Sequence, residues 1–176
     1  TLLNEYPELS IGYEALSFAY LKSGSNEKAI KILLEALLKF PAEVTFPYSL
    51  ATIFYDSGDF LKAENYFHNV LKIQSDMISA KHTLAMMYEK MNDTNRSDSL
   101  FLQMIEQDKN DAVRRNDYAY ILSERDKISQ EELSFALELA TNAIANEPDN
   151  AAFLDTIGWI YYKLGTYQIA EEYLEK

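Results

Sequence analysis

The sequence predicts an all-α fold, a solenoid of about five helix–turn–helix units. Only 5 glycines and 4 prolines occur in 176 residues, whereas 13 residues are tyrosine. This composition favours a folded helical chain and argues against an all-β sandwich, which needs many tight turns. Apolar residues recur at i, i+3, i+4 and i+7 within short stretches, as on the buried face of a helix. The same slots return every 34 residues, which is the period of a helix–turn–helix array.

The array divides into successive units whose limits follow from this register. Each unit is expected to contain two helices that pair with each other and stack on the next unit. The predicted divisions are residues 1–9 as the tail of a preceding helix closed by Pro7, then units at 10–43, 44–77, 78–111, 112–150 and a truncated 151–176.

The first unit shows the pattern. Tyr13, Ser17 and Tyr20 lie on one face of its leading helix. Gly24 is expected to end this helix in a left-handed conformation, and Ser25 to cap the next helix. The second unit repeats the turn at Gly58-Asp59 and the third at Asn92-Asp93, where asparagine substitutes for glycine at positive φ. In the last unit the interruption is Leu164-Gly165-Thr166.

The fourth unit is five residues longer than the others. The extra residues are predicted to fall between its helices, around Ser123 to Glu131, as a longer loop. Ser129-Gln130-Glu131-Glu132 forms a capping-box pattern, which predicts that the second helix begins near Ser129. The loop is open to two interpretations, a binding element or drift in a solvated connection.

Small residues recur where the two helices of a unit approach each other, because the distance between helix axes follows the size of the side chains at the contact. On the first helices they are Ser17, Ala51, Ala85, Ala119 and Gly158, and on the second helices Ala29, Ala63, Ser97, Ala136 and Ala170. Large aromatic residues beside them are expected to fill the remaining volume, namely Tyr20, Phe54, Tyr88 and Tyr161.

This pattern resembles the tetratricopeptide repeat, in its bacterial type, over essentially the whole chain. The resemblance rests on the paired small residues, the neighbouring aromatics and a proline near the end of a unit, at Pro7, Pro41 and Pro148. Ser75 and Lys109 depart from the terminal proline. The resemblance implies a right-handed superhelix, and the start and end of the pattern suggest a fragment of a longer protein.

In this family the first helices line the concave face, where ligands usually lie. Transferred slot by slot, this geometry predicts a peptide-binding groove whose anchors are Tyr55, Tyr120, Trp159 and Tyr162. The full set of candidate groove residues is Phe18, Tyr48, Tyr55, His82, Met86, Asn116, Tyr120, Trp159 and Tyr162. None of them is expected to be needed for packing within a helix pair. The alternative is that some of the aromatics pack against the next repeat.

The function predicted from these features is a non-catalytic protein–protein interaction scaffold that binds a peptide or protein segment in the concave groove. The formal charge of −12 favours a partner of basic character. The cationic clamp with which some family members grip acidic tails is absent, since its slots hold Glu14, Phe18, Ser49, Ser79 and Thr83. Two alternatives stay open: a structural or self-assembly module that forms an end-to-end homodimer, and a regulatory domain of a larger protein.

Other classes of function find little support in the sequence. The acidic charge disfavours nucleic-acid binding, which relies on a cationic face. His68 and His82 lack partners at metal-ligand spacing, cysteine is absent, and no phosphate-binding loop or nucleophile motif occurs, so no catalytic residue, metal or cofactor is expected. No stretch is long and apolar enough for a membrane span. The compartment is left open: cytoplasmic, or periplasmic or lipoprotein if a signal precedes this segment.

Overall fold

The computed structural model describes residues 9–145 and 147–176. These residues form ten α-helices and no strand, so the predicted all-α repeat fold is confirmed. The predicted tail at residues 1–9, with Pro7, lies outside the described residues except for Leu9. The helices are α1 (Ser10–Lys22), α2 (Asn26–Lys39), α3 (Thr45–Asp56), α4 (Phe60–Ile73), α5 (Ile78–Lys90), α6 (Thr94–Gln107), α7 (Ala112–Glu124), α8 (Gln130–Ile144), α9 (Ala151–Lys163) and α10 (Tyr167–Leu174).

Consecutive helices form pairs, and each pair lies inside one of the predicted repeat ranges, whose exact limits remain a prediction. The chain divides into two compact units, residues 1–100 and 101–176, which are described separately. In the first unit Tyr13, Leu33 and Phe46 belong to one buried cluster, and Phe67 and Met87 to a second. In the second unit Phe101 stacks on Tyr118 at a centroid distance of 4.9 Å.

The small residues predicted at the helix contacts are all buried. Ala29, Ala51, Ala63, Ala85, Ser97, Ala119 and Ala136 are fully covered, and Ser17, Gly158 and Ala170 nearly so. The aromatic residues beside them, which were expected to fill the remaining volume, are buried to different depths. Tyr88 is buried, whereas Tyr20, Phe54 and Tyr161 are half-buried, and Tyr20 and Phe54 pack against the core clusters of the first unit. Phe54 and Tyr161 stack on rings of their partner helices, Tyr66 and Tyr173.

Left-handed residues end four of the first helices, as predicted. The φ angles are +71° at Gly24, +79° at Gly58, +58° at Asn92 and +77° at Gly165. In each case the backbone N–H of the next residue donates to the carbonyl of the residue five positions before it, at 2.8–3.0 Å. This is the wider hydrogen bond of a Schellman motif. These four connections have only three residues each, so they turn the chain directly into the second helix of the pair.

The N-termini of the second helices differ in their caps. Ser129 and Glu132 form the predicted capping box: the Glu132 N–H donates to Ser129 Oγ at 3.1 Å, and the Ser129 N–H donates to the Glu132 carboxylate at 2.8 Å. Ser25 occupies the N-cap of α2, but its side chain makes no capping hydrogen bond. Its hydroxyl accepts from Ser23 Oγ, so the predicted serine stands at the N-cap position but does not bond to the helix through its side chain.

The five additional residues of the fourth repeat are spread over three places. Two of them lengthen the α7–α8 connection, one lengthens α8, and two lie in the connection that leads to α9. The expectation that all five fall between the two helices was therefore wrong. Because a residue at positive φ is missing at this turn and Arg125 is extended (φ −66°, ψ 134°), the chain needs a longer path into α8.

Candidate functional site

The predicted groove residues all lie on first helices. In the first unit Phe18 is on α1, Tyr48 and Tyr55 on α3, and His82 and Met86 on α5. In the second unit Asn116 and Tyr120 are on α7, and Trp159 and Tyr162 on α9. The candidate residues thus form two surfaces, one on each compact unit.

The surface of the first unit contains a cleft between α1 and the start of α3. This cleft has a volume of about 420 Å³ and is lined by Ile11, Glu14, Phe18, Leu21, Thr45 and Ser49. Phe18 is 60% exposed, and the ammonium of Lys22 lies 5.3 Å from its ring centroid. Phe18 is therefore available to a ligand.

Tyr48 and Tyr55 are less available than the sequence predicted. Both are half-buried and pack against the core cluster of α3, α4 and α5. Tyr48 meets Phe67 edge to face at 6.2 Å, and Tyr55 lies 5.9 Å from Phe60. The expectation that no groove residue takes part in helix packing was therefore wrong for these two, because long aromatic side chains on α3 reach into the seam with α4. His82 and Met86 on α5 are also half-buried.

The second unit contains a cleft between α7 and α9, called the α7–α9 cleft below, which is larger than the cleft between α1 and α3. It has a volume of about 580 Å³. Asn116, Tyr120 and Glu124 line it at i, i+4 and i+8 along one face of α7. Asp155 and Trp159 face it from α9, and Leu174 of α10 closes one end. Three of the nine predicted residues, Asn116, Tyr120 and Trp159, thus share this cleft.

A hydrogen bond across the α7–α9 cleft fixes the position of Trp159. Trp159 Nε1 donates to Glu124 Oε1 at 2.6 Å. Tyr162 stacks on the indole at a centroid distance of 5.4 Å, and the ammonium of Lys163 lies 5.0 Å from the indole centroid. Tyr167 of α10 in turn packs on Tyr162 at 5.5 Å. The indole of Trp159 therefore forms one wall of the cleft in a fixed position. Tyr162, which is 51% exposed, lies on the outer side of the indole.

The charged groups of the cleft are hydrogen-bond acceptors. Glu124 and Asp155 supply carboxylates, and none of the described residues that line the cleft is cationic. Asn116 is only 8% exposed, and its Oδ1 has no hydrogen-bond partner within the part of the chain that the structure describes. Glu124 and Asp155 lie one helical turn from Tyr120 and Trp159 on the same helix faces, so repeat register places them in the groove as well. Leu174 was missed, because its place at the end of the cleft depends on how α10 folds back on α9.

The groups with clearly displaced pKa values lie outside these clefts. Hydrogen bonds from the side chains of Lys62 and Arg96 lower the pKa of Asp59 and Asp93, which cap α4 and α6. The hydrogen bond that the backbone N–H of Ser129 donates to the Glu132 carboxylate likewise lowers the pKa of Glu132.

Burial raises the pKa of Tyr88 to about 12, with a further contribution from the hydrogen bond that its hydroxyl donates to Glu64 at 2.8 Å. Arg96 also contacts Glu64, so this group ties α4, α5 and α6 together. All these pKa shifts arise from helix capping and packing. The groups concerned do not form an acid–base pair in a pocket.

Two further searches bear on function. Among the described residues, no group of three or more histidine, aspartate and glutamate side chains is arranged to hold a metal ion. Within the same residues, none of the helices combines the length and apolar character that crossing a bilayer requires.

Comparison with known proteins identifies the repeat. A sequence model of the tetratricopeptide repeat matches residues 151–176. A TPR repeat-containing protein of Pseudomonas aeruginosa is 27% identical, and the match covers 99% of this chain and 30% of that protein. The chain thus spans less than a third of the length of this curated relative.

Solved structures show the same fold. MamA from Desulfovibrio magneticus RS-1 has a TM-score of 0.77 at 17% identity, covering 94% of this chain and 91% of that one. YrrB, described as a TPR protein with an unusual peptide-binding site, has a TM-score of 0.72 at 17% identity, with coverage of 98% and 87%. A tetratricopeptide repeat protein from Parabacteroides merdae has a TM-score of 0.75 at 15% identity, with coverage of 98% and 67%.

Proposed function

Because its last helix pair matches the tetratricopeptide repeat and its fold is that of solved proteins with this repeat, we propose that the chain is a non-catalytic scaffold that binds a peptide or protein segment along its first helices. The family and its fold are in general protein–protein interaction scaffolds. The structurally similar YrrB has a peptide-binding site. The same use of this chain is the simplest account of its exposed aromatic side chains.

The observation that carries the proposal is the α7–α9 cleft. It is open to solvent, it is lined by Tyr120 and Trp159, and Trp159 is held in place by Glu124. Aromatic side chains that are fixed before binding lose little conformational freedom on association, so they act as anchors for a ligand. In the first unit, Phe18 in its own cleft offers a second, separate anchor.

The acidity of the chain supports a partner of basic character. The formal charge is −12, with 28 acidic and 16 basic side chains. Such a surface attracts cationic segments over a distance set by the ionic strength and repels the phosphate backbone of nucleic acids.

Site-specific photo-crosslinking tests the proposal. A photoreactive phenylalanine is placed at Phe18, Tyr120 or Tyr162 and exposed to native lysate. Matched control positions are Leu38 and Leu61, which are 85% and 73% exposed apolar residues on second helices. We expect a discrete crosslinked partner from the first-helix positions and none from the controls. Equal crosslinking from both sets would move the binding surface to the second helices.

A second candidate function, self-association, is favoured by the exposed apolar residues of α10. Tyr167, Ile169 and Leu174 are 65%, 39% and 51% exposed, and they lie within one short helix. An end-to-end homodimer would cover them. Light scattering decides the point: a mass that stays monomeric as the protein concentration rises would exclude this function.

A further inference from the structure

The α7–α9 cleft presents hydrogen-bond acceptors on two sides. The carboxylate of Glu124 lies on the α7 side and that of Asp155 on the α9 side. One oxygen of Glu124 accepts from Trp159 Nε1, which leaves its second oxygen to a ligand. The described lining contributes no cationic side chain that would neutralise these carboxylates. The cleft is therefore complementary to a group that carries positive charge and several donors.

Asn116 gives independent evidence for a donor in this cleft. It lines the cleft on α7, is more than nine-tenths buried, and its Oδ1 has no hydrogen-bond partner among the described residues. A buried acceptor without a partner is destabilising, and a ligand that donates to it relieves that cost. Because Oδ1 is enclosed, a donor that enters the cleft reaches it only when the Asn116 side chain turns toward the opening.

The aromatic residues define the shape of the ligand. Lys163 and Tyr162 already lie against the indole of Trp159, which makes Trp159 a fixed wall. Tyr120, 49% exposed, offers an aromatic face at the mouth of the cleft. A planar cation can stack on this face while its edges donate to carboxylates on either side.

We propose that the α7–α9 cleft binds an arginine side chain of the partner segment. The guanidinium carries five N–H donors in one plane, enough to donate to carboxylates on both α7 and α9 while it stacks on an aromatic ring, whereas a lysine ammonium is a compact point charge without a stacking plane. The volume of about 580 Å³ accommodates this side chain and the adjoining backbone. The inference rests on the proposed function and adds the chemistry that this cleft selects.

The test uses the single tryptophan of the chain as its reporter. Because that residue is Trp159, its fluorescence reports directly on the cleft. The probes are capped alanine pentapeptides whose central residue is arginine, lysine or citrulline, the last being a neutral isostere of arginine. We expect saturable binding of the arginine peptide, binding about tenfold weaker for the citrulline peptide, and an intermediate affinity for lysine, since hydrogen bonds to charged groups are the stronger ones.

Charge-removing variants then locate the site. Glu124→Gln and Asp155→Asn should each weaken binding of the arginine peptide about tenfold. The control Glu138→Gln removes the same charge from an exposed position on α8 outside the cleft and should leave the affinity within about twofold. Circular dichroism establishes that each variant is folded. An equal loss in all three variants would reduce the effect to net charge and overturn the assignment.

Two other results also overturn the inference. One is equal affinity for the arginine and citrulline peptides, and the other is no saturable fluorescence response to the arginine peptide. Either result leaves the scaffold function standing if Tyr120 or Tyr162 still crosslinks to a partner, because crosslinking reports contact with these helices and does not depend on arginine. If no crosslink forms but the arginine peptide binds saturably, the proposed scaffold function is refuted while the arginine site in the cleft stands.

Discussion

Single residues in this protein reveal where the packing of the repeat is not optimal. The small-residue slot of α6 holds Ser97, which is fully buried, and its Oγ has no hydrogen-bond partner in the described part of the chain. The corresponding slots of α2, α4 and α8 hold alanine. A hydroxyl in this slot is small enough to fit but loses its hydrogen bonds with water.

Replacing Ser97 by alanine should therefore stabilise the protein. The expected gain in the free energy of unfolding is about 1–3 kcal/mol, because the variant no longer buries an unpaired hydroxyl. Urea denaturation measures the change. The control Ser134→Ala, on the exposed face of α8, removes a solvent-exposed hydrogen bond to the Gln130 carbonyl and improves helix propensity, so it should change the free energy by only about 0.5 kcal/mol. Destabilisation by Ser97→Ala would show that the hydroxyl has a partner.

Gly158 shows the opposite situation, a position where nothing larger fits without movement. A Cβ at this position would lie 2.6 Å from Leu174 Cγ and 3.3 Å from the carbonyl oxygen of Ala170. The absence of a side chain thus permits the close approach of α9 and α10.

Gly158→Ala should destabilise α10 in the presence of Leu174 and be tolerated in its absence. Alanine favours the helix by about 1 kcal/mol over glycine, but overpacking against Leu174 costs about 1–3 kcal/mol. A double-mutant cycle with Leu174→Ala, followed by denaturation and by hydrogen exchange of the α10 amides, measures the coupling. We expect Gly158→Ala to be more costly in the Leu174 background, and additive effects would refute the contact.

At the scale of helices, turn chemistry determines where each element begins. Asp59 and Asp111 accept a capping hydrogen bond from the third residue of their helices, and Ser129 belongs to a complete capping box. Ser25 stands in the same slot without such a bond. The chain therefore contains one serine N-cap that is engaged and another that is not.

This pair of serines allows a matched test. Ser129→Ala should lower the free energy of unfolding by about 1 kcal/mol, whereas Ser25→Ala should have a markedly smaller effect. The lowered pKa of Glu132 adds a pH dependence, since its contribution is present above the ordinary glutamate value of 4.5 and is lost as the pH falls through the lower pKa of the folded state. Thermal denaturation at neutral and at acidic pH measures both effects, and equal losses from the two serines would contradict the assignment.

These details mark the limit of what periodicity can predict. The register of Tyr13, Ser17 and Ala29 predicts helices and their buried faces, because burial follows from helix geometry. Periodicity does not predict how deeply a side chain is buried. Tyr48 and Tyr55 were therefore placed on the groove face although their rings reach into the seam with α4. The α7–α9 cleft likewise depends on contacts between side chains of different helices, such as Trp159 with Glu124, which no spacing within one helix reveals.

At the scale of the whole chain, we expect the excess of acidic side chains to influence association. A charge of −12 raises the association rate and the affinity for a cationic partner at low ionic strength. Added salt weakens this attraction, because at about 0.1 M it screens charges that are more than about 10 Å apart. The effect is electrostatic and does not depend on which groove residue serves as the anchor.

Binding of a basic partner should consequently weaken as salt is added. The dissociation constant of the arginine pentapeptide, or of the crosslinked partner once identified, is measured between about 50 mM and about 500 mM NaCl, and we expect a progressive rise. A neutral osmolyte at matched osmolarity serves as the control and should leave the constant nearly unchanged. Tighter binding at high salt would show that apolar burial, not charge, dominates the association.

The connection between α7 and α8 makes the protein amenable to grafting. Arg125 leaves α7 in an extended conformation, and Asp126 and Lys127 are exposed, so this turn lacks the left-handed, hydrogen-bonded geometry that constrains the connections at Gly24, Gly58 and Gly165. Additional residues would extend a loop whose closure entropy grows only slowly with length. A foreign peptide spliced between Asp126 and Lys127 should therefore be displayed on a folded protein, whereas the same peptide at Gly58 would separate α3 from α4.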